Sequence, residues 1–231
     1  ISIGHETPID YTASIQKLKD CETVVFVGGI APQLEGEEMP VNLPGFKVGD
    51  RTDIELPQVQ RAFLQALKKA GKKIVFINCS GSAMAVTPET ESCDAILQAW
   101  YPGQEGGEAV ARVLFGEYNP SGKLPVTFYR DSKQLPDFKD YSMKGRTYRY
   151  MEGKAQFPFG YGLTYSNVKV ENTEVRQCGQ QITVEAEVYN EGKADTEEVV
   201  QVYVKNLDSK NAIPNPALGG FQRIFVKAGE R

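Results

Sequence analysis

Two short unbroken apolar runs, Val24-Val25-Phe26-Val27-Gly28-Gly29 and Lys73-Ile74-Val75-Phe76-Ile77-Asn78, each follow a segment with helical periodicity. Runs of this length, rich in β-branched and aromatic residues, predict strands buried on both faces, and such strands belong to parallel sheets covered by helices. The first of the preceding helices is expected over Tyr11 to Lys19. The second is better marked: Pro57 suits a first turn, Val59, Phe63, Leu64 and Leu67 fall on one face, and Gly71 supplies the stop. Ala95-Ile96-Leu97 predicts a third strand and Gly107 to Phe115 a third helix, closed by Gly116 and the turn Asn119-Pro120-Ser121-Gly122. The alternation predicts an α/β fold over residues 1–122, a mostly parallel sheet with helices on both faces.

Periodicity fades over residues 123–163, where Pro, Tyr and Gly are frequent, and this stretch reads as an ordered connector. Beyond it, polar and apolar residues alternate from Gln181 to Tyr189 and strand character continues from Glu198 to Val204. With Asn190-Glu191-Gly192 as a turn signal, residues 164–231 predict an antiparallel, sandwich-like domain. A seven-stranded sandwich needs about 100 residues, so this domain is expected to be cut short.

Composition changes the picture in three places. Apolar residues form 41% of the 231, enough to bury a core, while 26 basic against 30 acidic side chains leave a net charge of -4. That balance offers no positive field for a phosphate backbone, so no nucleic-acid partner is expected. The single histidine, His5, leaves almost no material for a His-rich zinc site or a serine–histidine triad, so hydrolytic chemistry would have to use carboxylates. Cys21, Cys79, Cys93 and Cys178 lie far apart without C-x-x-C spacing; buried free thiols are expected, with a Cys79–Cys93 disulfide as the alternative. Runs such as Val24 to Val27 are too short to span a bilayer. No signal-peptide pattern opens the chain, and its first residue, Ile1, suggests a processed or excised polypeptide.

The loop Ala31 to Pro40 leaves the C-terminal end of a predicted parallel strand, where open α/β sheets place ligands. Glu35, Glu37 and Glu38 crowd together there. Mutual repulsion favours the protonated form of whichever is least solvated, and a protonated glutamic acid can donate to a leaving group. A solvated acidic surface loop is the competing reading. Asp50 and Arg51 could form an ion pair that braces the loop or holds a polar ligand, with the brace favoured. Val27-Gly28-Gly29 lacks the full G-x-G-x-x-G pattern, so no nicotinamide cofactor is expected. Ser80-Gly81-Ser82 lacks G-x-S-x-G and reads as a strand-to-loop turn. Trp100 and Tyr101 could stack on a sugar ring, but beside Pro102-Gly103 they read as core packing.

Several of these strings together resemble the C-terminal region of glycoside hydrolase family 3, the β-glucosidase and β-xylosidase family. Leu34-Glu35-Gly36-Glu37, Gly49-Asp50-Arg51, Leu56-Pro57-x-x-Gln60 and Trp100-Tyr101-Pro102-Gly103-Gln104-Glu105-Gly106-Gly107 are similar to its α/β-sandwich domain, in the same order. The more specific combination is Asn119-Pro120-Ser121-Gly122-Lys123-Leu124-Pro125-Val126-Thr127-Phe128 with Tyr148-Arg149-Tyr150 and the run from Phe157 to Tyr165. Asn190-Glu191-Gly192, the run from Glu198 to Val204 and Leu218-x-Gly220-Phe221-x-Arg223 look like the fibronectin type III-like module that follows.

The resemblance implies a retaining exo-acting β-glycosidase whose nucleophile is an aspartate on an N-terminal TIM barrel. The general acid/base is implied to be a glutamate of the α/β-sandwich loop, which falls on Glu35, with Glu37 as second choice. Asp50 and Arg51 are expected to support that loop. No barrel and no nucleophile motif occur in the chain, so the missing barrel is an implied partner and the chain alone is expected to be inactive. The implied substrate is a plant-type oligosaccharide with terminal β-linked sugars. The Glu-Gly-Glu-Glu loop lies nearer the β-xylosidase branch, and β-glucosidase is the alternative. A carbohydrate-binding or adhesion module without catalysis is a reading from a different class. No cofactor and no metal are expected, and the resemblance implies a periplasmic or secreted location.

Overall fold

The computed structural model describes residues 9–35, 41, 43–48 and 50–231. The chain divides into two compact units, one formed by Ile1–Gly107 and Phe128–Asp140, the other by Glu108–Thr127 and Tyr141–Arg231.

In the first unit, α1 (Thr12–Lys17) leads into β1 (Thr23–Gly29), followed by a short α2 (Pro32–Glu35) and the small antiparallel pair β2 (Phe46–Lys47) and β3 (Asp50–Arg51). Next come α3 (Gln58–Lys69), β4 (Lys73–Cys79), α4 (Thr87–Ser92) and β5 (Ala95–Gln98). The strands β1, β4 and β5 form a parallel sheet in the order β1-β4-β5. As the central strand, β4 buries both faces: Ile74, Phe76, Ile77 and Asn78 are all at most 1% exposed. β1 departs from the expectation drawn from its unbroken apolar run. Phe26 is buried, but Val25 and Val27 on the other face of this edge strand are 49% and 66% exposed.

The stripe on α3 falls where periodicity places it: Val59, Gln60, Phe63, Leu64 and Leu67 are buried. Full burial of Leu64 and Leu67 stabilises the unit by about 1.5–3 kcal/mol each. The rings of Tyr11, Phe63, Phe26 and Phe76 form a chain with centroids 5.1–5.8 Å apart, joining the approach to α1 with α3, β1 and β4. Gly71, at φ +74°, ends α3, and Lys72 extends its ammonium to the carbonyls of Leu18, Lys19 and Cys21, satisfying the chain between α1 and β1.

The polar sequence Thr87 to Ser92 gives no hydrophobic signal, yet it forms α4 with Pro88 in the first turn. Its Glu89 is fully buried and meets the guanidinium of Arg61 through two hydrogen bonds, at 2.7 and 3.1 Å; Glu55 approaches the same guanidinium at 3.1 Å. Burial opposes the charged form of Arg61, but the two carboxylates outweigh it and hold the side chain protonated above its ordinary range.

The helix α5 (Gly106–Leu114) carries the chain into the second unit, which continues through α6 (Thr147–Tyr150) to β6 (Val168–Cys178), β7 (Gln181–Asn190), β8 (Thr196–Val204) and β9 (Ala217–Val226). Two antiparallel pairs result, β6 with β7 and β8 with β9. The turn at Asn190 therefore joins strands that belong to different pairs. Asn190 is fully buried, donates to the carbonyls of Ala194 and Val226, and accepts from the Gly192 amide through Oδ1. Asn119 is a similar hub: its Nδ2 donates to Ser166 Oγ and the Asp195 carbonyl, while its Oδ1 accepts from Thr164 Oγ1 and the Tyr165 amide. Tyr148 stacks on Phe159 at 4.1 Å, with Tyr203 edge-on to both.

The cysteines correct one expectation. All four are free thiols, so no Cys79–Cys93 disulfide forms, but they are not all buried: Cys21 and Cys178 are exposed, in the turn before β1 and at the end of β6, while Cys79 and Cys93 are partly covered. Burial pushes the Cys93 thiol up to about 11 and also raises that of Cys79. Because the thiolate is the reactive form, iodoacetamide at pH 8 is expected to modify Cys21 and Cys178 first and Cys93 last. Peptide mass mapping over time checks this order; Cys93 labelling as fast as Cys178 would contradict it.

Candidate active site

The acidic loop grows from a tightly held root. Gly29 ends β1 at φ +114°, and a Cβ there would overlap the Cys79 carbonyl on β4. At Gly28 a Cβ would strike the Phe26 ring and the Gln60 amide, so both glycines serve close packing. The next residue, Ile30, is 1% exposed; its amide donates to the Cys79 carbonyl at 2.8 Å and its carbonyl accepts from the Tyr101 hydroxyl at 2.9 Å. Buried Leu34 then anchors α2, its amide donating to the Ala31 carbonyl.

Glu35 is the last residue of α2, at the C-terminal end of β1 as expected; the description of Glu35 stops at its backbone. Glu37 and Glu38 lie outside the described residues. Asp50 and Arg51 form β3, whose register sets Arg51 opposite Phe46 and Asp50 opposite Lys47. Asp50 is exposed. Partly covered Arg51 donates to the Glu55 carbonyl at 3.2 Å and to Ser82 Oγ at 3.4 Å, tying β3 to the segment before α3 and to the loop after β4. Asp53 accepts from the Glu55 amide, and the Thr52 amide donates to the carbonyl of Gly45, so the chain returning from the acidic loop is fixed in turn.

At the C-terminal ends of β4 and β5, Asn78 donates to Gln98, Gln98 donates to the Ser80 hydroxyl, and Ser80 donates to the Ser82 carbonyl. Ser80 is fully buried within this turn. Trp100 sits at φ +56°, an uncommon conformation for a residue with a bulky side chain, and packs edge-on against buried Phe128 at 6.0 Å. Sequence reasoning gave no role to Gln60 or to the Tyr101 hydroxyl. The available signal was an amide placed within the apolar stripe of α3, because a buried amide requires partners.

The backbone of Glu35 ends α2, just beyond the C-terminal end of β1, while Arg51 of β3 reaches Ser82 in the loop after β4. Among the described residues no group of three or more His, Cys, Asp or Glu side chains could hold a metal ion. Residues 8–165 match the family described as Glycosyl hydrolase family 3 C-terminal domain. The chain belongs to glycosyl hydrolase family 3. Over its whole length it is 57% identical to a xylan 1,4-β-xylosidase of Xylanibacter ruminicola, covering 27% of that protein. Over 94% of its length it is 35% identical to a periplasmic β-glucosidase of Salmonella typhimurium, covering 29% of it. Among solved structures, a family 3 β-glucosidase of Bifidobacterium adolescentis matches 98% of the chain with a TM-score of 0.83 and 30% identity, over 35% of that protein. The chain thus spans about a third or less of the relatives it matches. The family 3 relationship accounts for the parallel sheet followed by antiparallel strand pairs. Among the described residues no helix is long and apolar enough to cross a membrane.

Proposed function

We propose that this chain is the acid/base-bearing part of a retaining, exo-acting β-xylosidase that removes terminal β-linked xylose from plant-type oligosaccharides. The observation that carries the reading is the 57% identity, over the full chain, to a protein named xylan 1,4-β-xylosidase. A β-glucosidase is the second reading, favoured by the relatives that bear that name. In both, the nucleophilic carboxylate stands on a barrel domain outside these residues, and residues 1–122, 123–163 and 164–231 serve as α/β sandwich, connector and fibronectin type III-like domain. A periplasmic or secreted location belongs to the same reading.

The chemistry needs two carboxyl groups about 5–5.5 Å apart. As the nucleophile attacks the anomeric carbon, Glu35 protonates the departing oxygen and the glycosidic bond breaks, leaving a glycosyl ester. Glu35, now a carboxylate, takes a proton from water, whose oxygen displaces the ester and regenerates both groups. Half of this pair performs no double displacement, so the purified 231-residue chain is expected to release no phenol from an aryl β-xyloside or β-glucoside, while the full-length protein does so with preference for xylose. Turnover by the isolated chain that disappears in Glu35→Gln would overturn the division of labour, and a preference for glucose would select the second reading.

A further inference from the structure

We infer that Gln60, assisted by Tyr101, is a positioning residue for the proton donor of the acidic loop, an inference that rests on the glycosidase reading above. Gln60 lies in the first turn of α3 and is 5% exposed. Its Oε1 accepts from the Gly29 amide at 2.8 Å and its Nε2 donates to the Gly29 carbonyl at 2.7 Å. A single side-chain amide therefore imitates one residue of a neighbouring strand. In a parallel strand the N–H and C=O of one residue point to the same side and alternate along the chain. Ile30 turns its amide toward β4, so Gly29 turns both of its groups to the open edge of β1, where Gln60 meets them. From the other side the hydroxyl of Tyr101, three residues after the end of β5, donates to the Ile30 carbonyl.

Gly29 and Ile30 are consequently held on both sides immediately before the chain enters α2 and reaches Glu35. Gly29 is buried, so an apolar residue in place of Gln60 leaves its amide and carbonyl without partners or admits water to the root. Either outcome releases the fixed direction in which α2 departs. Proton transfer is sensitive to such displacement: a misplacement of about 1 Å can cost about 10²-fold in rate.

The test is the leaving-group dependence of kcat/KM in the full-length protein, comparing a xylobiose-type substrate with an aryl β-xyloside whose acidic phenol departs without protonation. Gln60→Leu is expected to slow the first about 10–100-fold and Tyr101→Phe about 3–10-fold, with less than about 2-fold change for the second. Damage to the fold lowers the amount of active protein and scales both substrates alike, so equal losses, or no loss, overturn the proposal. If Gln60→Leu does not accumulate as folded protein, Tyr101→Phe decides, since it removes one hydroxyl and keeps the ring. Glu35→Gln is measured alongside. A split in Glu35→Gln without one in Gln60→Leu, or in Tyr101→Phe where that variant decides, overturns the clamp alone. A split in Tyr101→Phe without one in Glu35→Gln supports the clamp, rejects Glu35 as the donor and turns attention to Glu37.

Discussion

Glu35→Gln in the full-length protein is expected to lower kcat/KM on xylo-oligosaccharides by about 10²–10⁴-fold, the range typical of a general acid. The amide keeps the shape of the carboxyl group but cannot transfer a proton to the departing sugar oxygen. The loss should shrink as the leaving group becomes more acidic, because a phenolate stable in water needs no proton to leave. Turnover of the glycosyl intermediate should also slow, since the same residue deprotonates water in the second step. Glu37→Gln is expected to change both rates far less. The same large loss in Glu37→Gln with little in Glu35→Gln would transfer the role to Glu37, and uniform loss across leaving groups in both would remove the acidic loop from proton transfer altogether.

The largest expected effect on stability lies at the ion pair between α3 and α4. Arg61→Ala is expected to destabilise the first unit by about 3–5 kcal/mol, read as a lower denaturant midpoint. It leaves the carboxylate of Glu89, whose side chain is 1% exposed, buried between α3 and α4 without its counter-charge. Glu89→Gln should cost less, about 1–3 kcal/mol, because Arg61 then keeps Glu55 at 3.1 Å and the Ala85 carbonyl at 3.1 Å. The order of the two variants is the informative result. Equal midpoints for Arg61→Ala and the unsubstituted chain would mean that Glu89 finds water or another partner when the arginine is removed.

Much of the α/β unit is legible in the sequence because its strands and α3 obey simple rules. The run from Ile74 to Ile77 is apolar on both faces and lies in the centre of the sheet, and the stripe of α3 reads at its proper period. The exposure of Val25 and Val27 on β1 was not legible, since a run of valines looks the same whether or not a helix covers it. α4 escaped because Thr-Pro-Glu-Thr-Glu-Ser offers no apolar period; its place is set by the Arg61–Glu89 pair, a contact between residues distant in sequence. Strands β6 and β9 escaped in part because their residues are mostly exposed, so alternation is weak.

At the candidate site the position of Glu35 followed from the strand that precedes it, whereas the particular partners of Arg51 and the place of Gln60 did not. Asp50 and Arg51 are adjacent in β3, and Arg51 reaches forward to Glu55 and Ser82, residues that adjacency in sequence does not point to. Gln60 closes the string Leu56-Pro57-x-x-Gln60, which by itself points to no role for its amide. Its side-chain amide pairs with Gly29, a backbone partner that no side-chain pattern reveals.

In the proposed mechanism Glu35 is the acid/base of a retaining pair whose other half lies outside these residues. Azide rescue of Glu35→Ala in the full-length protein tests this role most directly, because an anionic nucleophile attacks the glycosyl ester without needing a base. With an activated aryl β-xyloside, added azide is expected to restore turnover and yield the β-xylosyl azide, identifiable by nuclear magnetic resonance. Absence of any azide adduct, or an adduct of α configuration as a missing nucleophile would give, would rule out Glu35 as the acid/base.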